Sequence, residues 1–397
     1  MKRPIPIMLL SDAASAPTGL ARITRDLATR IATLPEFRVC VLGKGGVGSR
    51  RFPFPQFVVP TLPATEWGEH VIEEAWMDFS GGEYGIVFTI WDASRLLWFA
   101  RPEYAGEGKL QRFLSSGHFT RWGYFPIDST GPAGRLTGMT RDTLLGFNRV
   151  LTYTSWAKEQ IVRTIGEGAA VARNLNWLPH GIDTSMFAPR EKRESRRMLS
   201  PMLHDGDMLV GIVGTNQARK DWGMALTACH FLRSRVKRLK VWIHTDLLER
   251  YWSISALLND LGLTDVAIVT KPMDDETLSY AYSACDVTLA PGLGEGFGYP
   301  IAESLACGVP VVHGTYGGGA AITPEPFQVR PVAYRLDTPH NAIRPVYEPA
   351  TWADKVCEIL DSPLQNEACR ESVAHLSWPL LWEGCWKRWL LEGVRMI

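Results

Sequence analysis

Short apolar runs alternate with amphipathic stretches along the whole chain. Ile5–Leu10 is an apolar run bounded by turn residues and predicts a buried β-strand. Thr18-Gly19 opens a helix to about Thr33, with Leu20, Ile23, Leu27 and Ile31 at helical spacing. Val39–Leu42 is a second apolar strand, which completes a β-α-β unit, the signature of a parallel sheet. Strands follow at Ile86–Ile90, about Thr120–Phe125, Leu151–Thr154 and Trp177–His180, with helices around Glu69–Asp78 and Arg141–Phe147. The segment Gly181–Pro189 then reads as a linker, followed by the charged run Arg190–Arg197. The alternation resumes with strands at Met208–Val213, Val241–His244, Val266–Thr270, Val287–Ala290 and Val309–His313. Helices at Trp222–Arg233, Ile254–Leu261, Glu276–Ser283 and Ile301–Ala306 separate them, and Gly308 stands where a helix end needs a left-handed residue. The expected fold class is therefore α/β, with two doubly wound, Rossmann-like halves and a cleft between them. A last helix spans about Pro379–Val394, and Trp378, Trp382, Trp386 and Trp389 share one of its faces. That face is either a packing seam or a membrane-surface stripe beside Lys387, Arg388 and Arg395.

Composition narrows the class. A chain of 397 residues, at about 150 residues per domain, suggests two or three domains. The hydrophobic fraction of 46% and charged fraction of 21% exclude a disordered chain, a collagen and a coiled coil. Lys and Arg number 42 and Asp and Glu 42, so the basic excess of a dedicated nucleic-acid binder is missing. No apolar run approaches the ~20 residues of a membrane helix. The seven cysteines are scattered and form no C-x-x-C, which reads as buried thiols in a reducing compartment. Lys2-Arg3 before an apolar stretch imitates a secretory leader, but the stretch contains Pro6 and ends at Asp12. These features place the protein in the cytoplasm.

Two motifs mislead. Gly43-Lys44-Gly45-Gly46-Val47-Gly48 has dinucleotide-loop spacing and imitates a Walker loop, but Ser49-Arg50 stands where Lys-Ser/Thr is required. Pro53 and Pro55 then forbid the helix such a loop must open, so Gly43–Pro55 is expected to be a flexible loop at a strand end. Asp205-Gly206-Asp207 imitates a metal-holding D-x-D, yet it precedes a strand, and ligands gather at the carboxyl ends of parallel strands. A polar turn is expected there.

The segment Leu289–Glu303 carries the strongest chemistry. A strand ends, Gly292, Gly294, Gly296 and Gly298 follow, and a helix begins near Pro300. Glycines let backbone N–H groups approach a ligand, and the helix N-terminus favours phosphate. Glu295 and Glu303 bracket the loop, and a carboxylate can accept from two vicinal hydroxyls, as a ribose or hexose presents. The segment Val210–Trp222 places Gly214-Thr215 at a strand end and Arg219-Lys220 just before a helix. Arg supplies a planar fork and Lys a point charge, both suited to phosphate oxygens. Together the two loops suit a sugar and a diphosphate.

Glu295 and Glu303, with seven residues between them, resemble the paired glutamates of retaining GT-B glycosyltransferases. The chain is most similar to glycosyltransferase family 4. Pro179–Asp183 with Phe187 and Pro189 resembles that family's interdomain signature, Gly214–Lys220 its phosphate loop, and Thr18-Gly19 its N-terminal glycine loop. Tyr124-Phe125-Pro126-Ile127-Asp128 resembles a subgroup pattern. The resemblance implies an N-terminal acceptor domain over 1–180, a linker over 181–189 and a nucleotide-sugar domain over 190–376. Residues 377–397 would cross back to the N-terminal domain, which accounts for the tryptophan face without a membrane.

The roles implied are specific. Arg219 and Lys220 would bind the donor diphosphate and stabilise it as it leaves, with Gly214 and Thr215 in the same loop. Glu303 would bind the ribose, and Glu295, Gly296, Phe297 and Gly298 the donor sugar. Gly19 would close on the phosphate, and Lys271, Pro272 and Met273, after Thr270, would line the nucleobase. Asp128 stands where many family members carry a histidine, and would either orient the acceptor hydroxyl or take its proton, or else cap a loop; Asp92 is a weaker candidate of that kind. The expected activity is a hexosyltransferase moving sugar from a nucleotide-diphosphate sugar with retention, without a metal or a cofactor beyond that co-substrate. A non-catalytic sugar-nucleotide or nucleic-acid binding protein on the same scaffold is the rival. The acceptor stays open among a glycan, a lipid-linked sugar, a small molecule and a modified base in DNA. Residues 1–175 hold 20 Lys and Arg against 16 Asp and Glu, which tolerates an anionic acceptor. No integral membrane segment is expected, and peripheral membrane contact stays open.

Overall fold

A computed structural model of the chain describes residues 3–46, 51–60, 67–338, 341–362 and 366–395. The chain divides into two compact units, Met1–His180 with Trp382–Ile397, and Gly181–Leu381.

The first unit is built on seven strands: β1 (Ile5–Asp12), β2 (Phe37–Lys44), β3 (Gln56–Val59), β4 (Gly85–Ile90), β5 (Phe119–Phe125), β6 (Arg149–Thr152) and β7 (Leu175–Trp177). They lie in the order β3-β2-β1-β4-β5-β6-β7, all parallel. The order reverses between β1 and β4, as in a doubly wound fold. Every residue of β4 is buried, as the unbroken apolar run requires of a strand covered on both faces. The helix Gly19–Ile31 starts at Thr18, whose hydroxyl accepts the Ala21 N–H at 3.1 Å, and it buries Ile23, Leu27 and Ile31. The expected loop over Gly43–Pro55 is shorter than its sequence suggests. Gly43 and Lys44 complete β2, residues 47–50 lie outside the described residues, and β3 begins at Gln56 after the irregular residues 51–55.

The second unit repeats the plan. Strands β8 (Met208–Val213), β9 (Leu239–His244), β10 (Ala267–Thr270), β11 (Val287–Ala290), β12 (Val311–Gly314) and β13 (Gln328–Val329) are parallel in the order β10-β9-β8-β11-β12-β13. Gly308 has φ +76°, the left-handed value its position before β12 requires. An antiparallel pair, β14 (Ala333–Asp337) with β15 (Ala342–Val346), was not legible in the apolar pattern. The charged run is a helix, Lys192–Leu199, whose Lys192 and Arg196 meet Asp286 at 2.5 and 2.8 Å. Asp207 is buried and accepts from the His204 N–H and Arg238 Nε, both at 2.8 Å, so Asp205–Asp207 is a structural turn. Five of the cysteines, Cys40, Cys229, Cys285, Cys307 and Cys369, are buried free thiols. Among the described residues no helix is long and apolar enough to cross a membrane.

The C-terminal segment corrects the expectation of one helix with one tryptophan face. Trp378–Leu381 is a single α-turn in the second unit, and Trp378 packs on Gly181 there. A π-turn follows at Trp382–Trp386, then a helix at Lys387–Val394. The wider turn takes up an extra residue, so the tryptophans do not keep a single α-helical stripe. Trp386 donates its indole N–H to the Pro179 carbonyl at 2.9 Å and packs on Tyr124. Trp389 packs on Trp122, with ring centroids 5.0 Å apart, and on Phe88. The Arg149 guanidinium lies 4.0 Å from the Trp389 centroid and 4.7 Å from that of Trp122, and donates to the Trp389 carbonyl. The stripe is a packing seam.

Gly393 closes the seam, because a Cβ there would collide with Arg149 Nη1 and Trp122. Gly393→Ala is expected to destabilise the first unit by about 1–3 kcal/mol through overpacking. Thermal unfolding checks this; a melting temperature equal to that of the parent chain refutes the seam's tightness.

Candidate active site

The site grows from two strand ends of the second unit. After β8 the chain runs through Gly214 and Thr215 to Asn216, which is buried and acts as a strut. Its side-chain N–H groups donate to the carbonyls of Leu247, Leu248 and Trp252, its oxygen accepts the Trp252 N–H at 2.9 Å, and its own N–H donates to Asp246. The strut fixes the loop ahead of Arg219 and Lys220. Asp221 then takes a left-handed conformation, φ 40°, and caps the helix Trp222–Arg233 by accepting the Met224 N–H. This non-glycine left-handed residue turns the chain sharply just after Lys220.

After β11 the glycine loop crosses toward the first loop. The Leu293 N–H donates to the Arg219 carbonyl at 2.7 Å. Glu295 is 9% exposed, and its Oε1 meets Lys220 Nζ at 2.5 Å and Arg219 Nη1 at 3.3 Å. Arg219 also donates to the Gly294 carbonyl at 3.2 Å. A Cβ at Gly292 would strike the Glu295 carboxylate, so glycine is required for the carboxylate to reach both cations. Gly298 has φ +99° and leads into the helix Tyr299–Ala306. The Glu295 carbonyl accepts from the Gly318 and Gly319 N–H groups at 2.7 and 3.3 Å, which ties in a third glycine loop. Gly214, Lys220, Trp222, Gly292, Glu295 and Gly298 line one cavity.

Burial alone would raise the Glu295 carboxyl, but Lys220 and Arg219 outweigh it and hold the pKa down to about 2. The carboxylate is therefore charged at any ordinary pH. His313, at the end of β12 and beside Ala290 in register, is fully buried. Its Nδ1 stands 2.6 Å from the Ala290 carbonyl, which can only accept, so Nδ1 carries the proton. Burial lowers its pKa, the imidazole is neutral, and Nε2 is bare and has no hydrogen-bond partner among the described residues. Glu303 is 3% exposed, and its Oε2 accepts the Tyr282 hydroxyl at 3.0 Å.

The structure thus brings Lys220, Glu295, Gly214 and Gly298 to one cavity, with Arg219 joined to it through Glu295. Phe297 is buried in the same loop. Thr215 is exposed at the β8 end, and its carbonyl accepts the Trp222 indole N–H at 3.4 Å. Lys271, Pro272 and Met273 follow β10, where Thr270 meets Trp242 Nε1 at 3.0 Å and His244 Nδ1 at 3.1 Å. They do not line the cavity of Lys220 and Glu295. Gly19 and Asp128 lie in the first unit. Gly19 is the first residue of its helix, and Asp128 follows β5 and accepts the Ser129 hydroxyl at 2.9 Å. Sequence reasoning missed His313, Asn216 and Tyr282. A polar residue closing the apolar run Val309–His313 was a signal for the first; the other two lie in ordinary helix and loop sequence.

Residues 207–362 match the family model described as glycosyl transferases group 1. The chain carries a glycosyltransferase group 1 domain. It is 28% identical over 259 residues to a D-inositol 3-phosphate glycosyltransferase of Acidothermus cellulolyticus, covering 62% of this chain and 53% of that protein. The chain thus spans about half the length of that relative. A GDP-mannose-dependent alpha-(1-6)-phosphatidylinositol monomannoside mannosyltransferase of Mycolicibacterium smegmatis is 29% identical over 60% of each chain. Among solved structures, a sucrose-phosphate synthase of Thermosynechococcus elongatus superposes with a TM-score of 0.72 at 17% identity, covering 98% of this chain and 100% of that one. The Anabaena protein HepE in complex with UDP-glucose gives 0.71 at 12% identity, covering 99% and 100%. These likenesses establish the fold as the GT-B architecture of two parallel-sheet, Rossmann-like domains.

The ion cluster generates a pH prediction. The folded pKa of Glu295, about 2, lies below the ordinary glutamate value of 4.5, so its stabilisation is complete above the unfolded value and is lost as pH falls toward 2. Glu295→Gln is expected to cost on the order of 2–4 kcal/mol at pH 7, with the difference shrinking below about pH 4. Urea unfolding of both proteins between pH 3 and 8 checks this. A pH-independent difference would remove the ion cluster from the stability of the loop.

Proposed function

We propose that the protein is a retaining glycosyltransferase that moves a sugar from a nucleotide-diphosphate sugar to an acceptor hydroxyl. The observation that carries the reading is the convergence of Arg219 and Lys220 on Glu295 at the carboxyl ends of β8 and β11. Two fixed cations beside a helix N-terminus suit a diphosphate better than a single carboxylate. When the donor enters, its diphosphate takes the cations. Glu295 is released to accept from the sugar hydroxyls, as its place in the glycine loop allows. The relatives named as glycosyltransferases support the class, and the UDP-glucose complex of a protein of the same fold supports the donor.

The reaction breaks the bond between the anomeric carbon and the diphosphate oxygen. Negative charge grows on the departing diphosphate, and Arg219 and Lys220 meet it without reorganisation. The acceptor hydroxyl attacks from the face of departure and gives its proton to the leaving phosphate, so no protein nucleophile is required. Charge on the leaving group is met by these two side chains, and the activity is expected to be independent of divalent metal. Glu303, held by Tyr282, is suited to accept from the ribose hydroxyls. His313 keeps the Ala290 carbonyl in place just before the glycine loop and so positions Glu295. Lys271, Pro272 and Met273, at the β10 end of the same sheet, are suited to line the nucleobase.

Lys220→Ala and Arg219→Ala are each expected to lower turnover of a sugar nucleotide by about 100-fold or more, with donor affinity falling less. Steady-state kinetics beside calorimetric titration with UDP- and GDP-sugars separates the two effects. Equal losses in both, or none, would remove these cations from the transition state. Proton NMR of the product reads the anomeric configuration directly, and an inverted product refutes retention. Turnover unchanged by EDTA is expected, and its loss would establish a metal requirement.

A further inference from the structure

The hairpin of β14 and β15 belongs to neither parallel sheet, and among the described residues its strands pair only with each other. Ala342, Arg344 and Pro345 of β15 are buried, and the Ile343 carbonyl accepts the Tyr316 hydroxyl at 2.9 Å, so β15 is anchored to the second unit. Strand β14 lies outside it. Every residue from Val332 to Leu336 is exposed, with Val332 at 66%, Tyr334 at 57% and Leu336 at 54%. Tyr334 touches the unit through Tyr316, with ring centroids 5.8 Å apart. A two-stranded hairpin is marginal in water, and an uncovered edge strand is a template for a further strand. Proline or a run of like charge usually guards a solitary edge. β14 has no proline, and its two charges, Arg335 and Asp337, are opposite in sign.

The register within the hairpin leaves a charge conflict. Arg335 stands directly opposite Arg344, and like charges so placed destabilise a strand pair. Among the described residues no carboxylate is in ion-pair contact with Arg335. Its charge reaches Asp221, whose carboxylate already accepts the Met224 N–H at 3.3 Å. Asp337 lies two residues on and shares the face of Arg335, and its Oδ1 accepts the Thr338 N–H at 3.0 Å. On the other face Tyr334 and Leu336 stand opposite Pro345 and Ile343, an apolar patch. A second β14, antiparallel about a two-fold axis through Leu336, answers both faces. It sets Arg335 opposite Asp337 of the second copy, and the reverse. It also sets Leu336 against Leu336, which extends the apolar row across four strands from Ile343 to Ile343. An axis on Arg335 would oppose two arginines, and one on Tyr334 would leave both charges unpaired.

We propose that β14 is a self-association surface, along which two copies of this chain pair antiparallel, centred on Leu336, into one four-stranded sheet. The contact is isologous, so it closes at two copies and does not polymerise. One strand pair is a small interface, so the dimer is expected to dissociate at about 1–100 μM. The inference stands on the hairpin's own residues and is independent of the transferase reading.

Sedimentation velocity of the full chain, from about 1 to about 200 μM, tests this. A monomer–dimer equilibrium is expected, with no larger species. Leu336→Lys sets two cations across the axis and is expected to raise the dissociation constant by about tenfold or more. Arg335→Asp and Asp337→Arg each create like-charge pairs and should weaken the dimer similarly, whereas R335D/D337R restores opposite charges and should restore association. Circular dichroism and thermal unfolding check that these exposed changes leave each copy folded. Leu336→Cys is expected to give a disulfide-linked dimer on oxidation, and Ala333→Cys, displaced from the axis, is not. A chain that stays monomeric at the highest concentration overturns the proposal and leaves the edge to a different partner. A dimer indifferent to Leu336→Lys and to both single charge reversals overturns it equally. Failure of the double reversal, or cross-linking through Ala333→Cys but not Leu336→Cys, overturns the register. Assemblies larger than two copies overturn the two-fold contact.

Discussion

The ligand edge of the second unit depends on one buried carboxylate. Arg219 and Lys220 are adjacent in sequence, and two adjacent cations would ordinarily diverge into solvent. Glu295 draws both to one oxygen, 2.5 Å from Lys220 and 3.3 Å from Arg219. At about 4 Å and an effective dielectric near 20, one such pair is worth about 4 kcal/mol before desolvation is counted. That attraction holds three loops together, because the backbone around each partner is tied as well. Arg219 accepts from Leu293, and Glu295 accepts from Gly318 and Gly319. The glycines follow from the same constraint, since a Cβ at Gly292 would occupy the carboxylate's place.

The arrangement also explains how a cavity can hold cations without binding any passing anion. A monoanion gains little by displacing a carboxylate already seated and hydrogen-bonded. A diphosphate offers more charge and more oxygens than Glu295, so exchange favours it. In the proposed reaction the released carboxylate would be left in the glycine loop, where sugar hydroxyls are the donors it needs. Binding and site assembly are then coupled through the same three side chains.

Much of this was legible in the sequence, because the signals were local. Apolar runs marked β1, β4, β8 and β11 and the glycine loop between β11 and its helix, and adjacent Arg219-Lys220 marked the phosphate loop. What escaped depended on contacts distant in sequence. Asn216 gains its role from Leu247, Leu248 and Trp252, some thirty or more residues away, and the spacing of one asparagine encodes none of that. The pairing of Glu295 with Lys220 spans 75 residues, so the sequence marked the two loops separately but not the contact that joins them. Strand β3 was hidden behind Pro53 and Pro55, which break helices but permit an edge strand. The tryptophan periodicity near the C-terminus was read as one stripe because an α-helical repeat cannot anticipate a π-turn.

The two units solve the same electrostatic problem differently. Both gather an Arg and a Lys at the carboxyl ends of parallel strands. In the second unit the counter-charge is a carboxylate, whose hold on a cation is strong and charge-specific. In the first unit Lys44 and Arg95 both stack on the Trp67 indole, a contact worth about 0.5–1 kcal/mol for an exposed cation such as Arg95. Asp12, the nearest carboxylate in register, has both oxygens committed to Trp91 and Thr18.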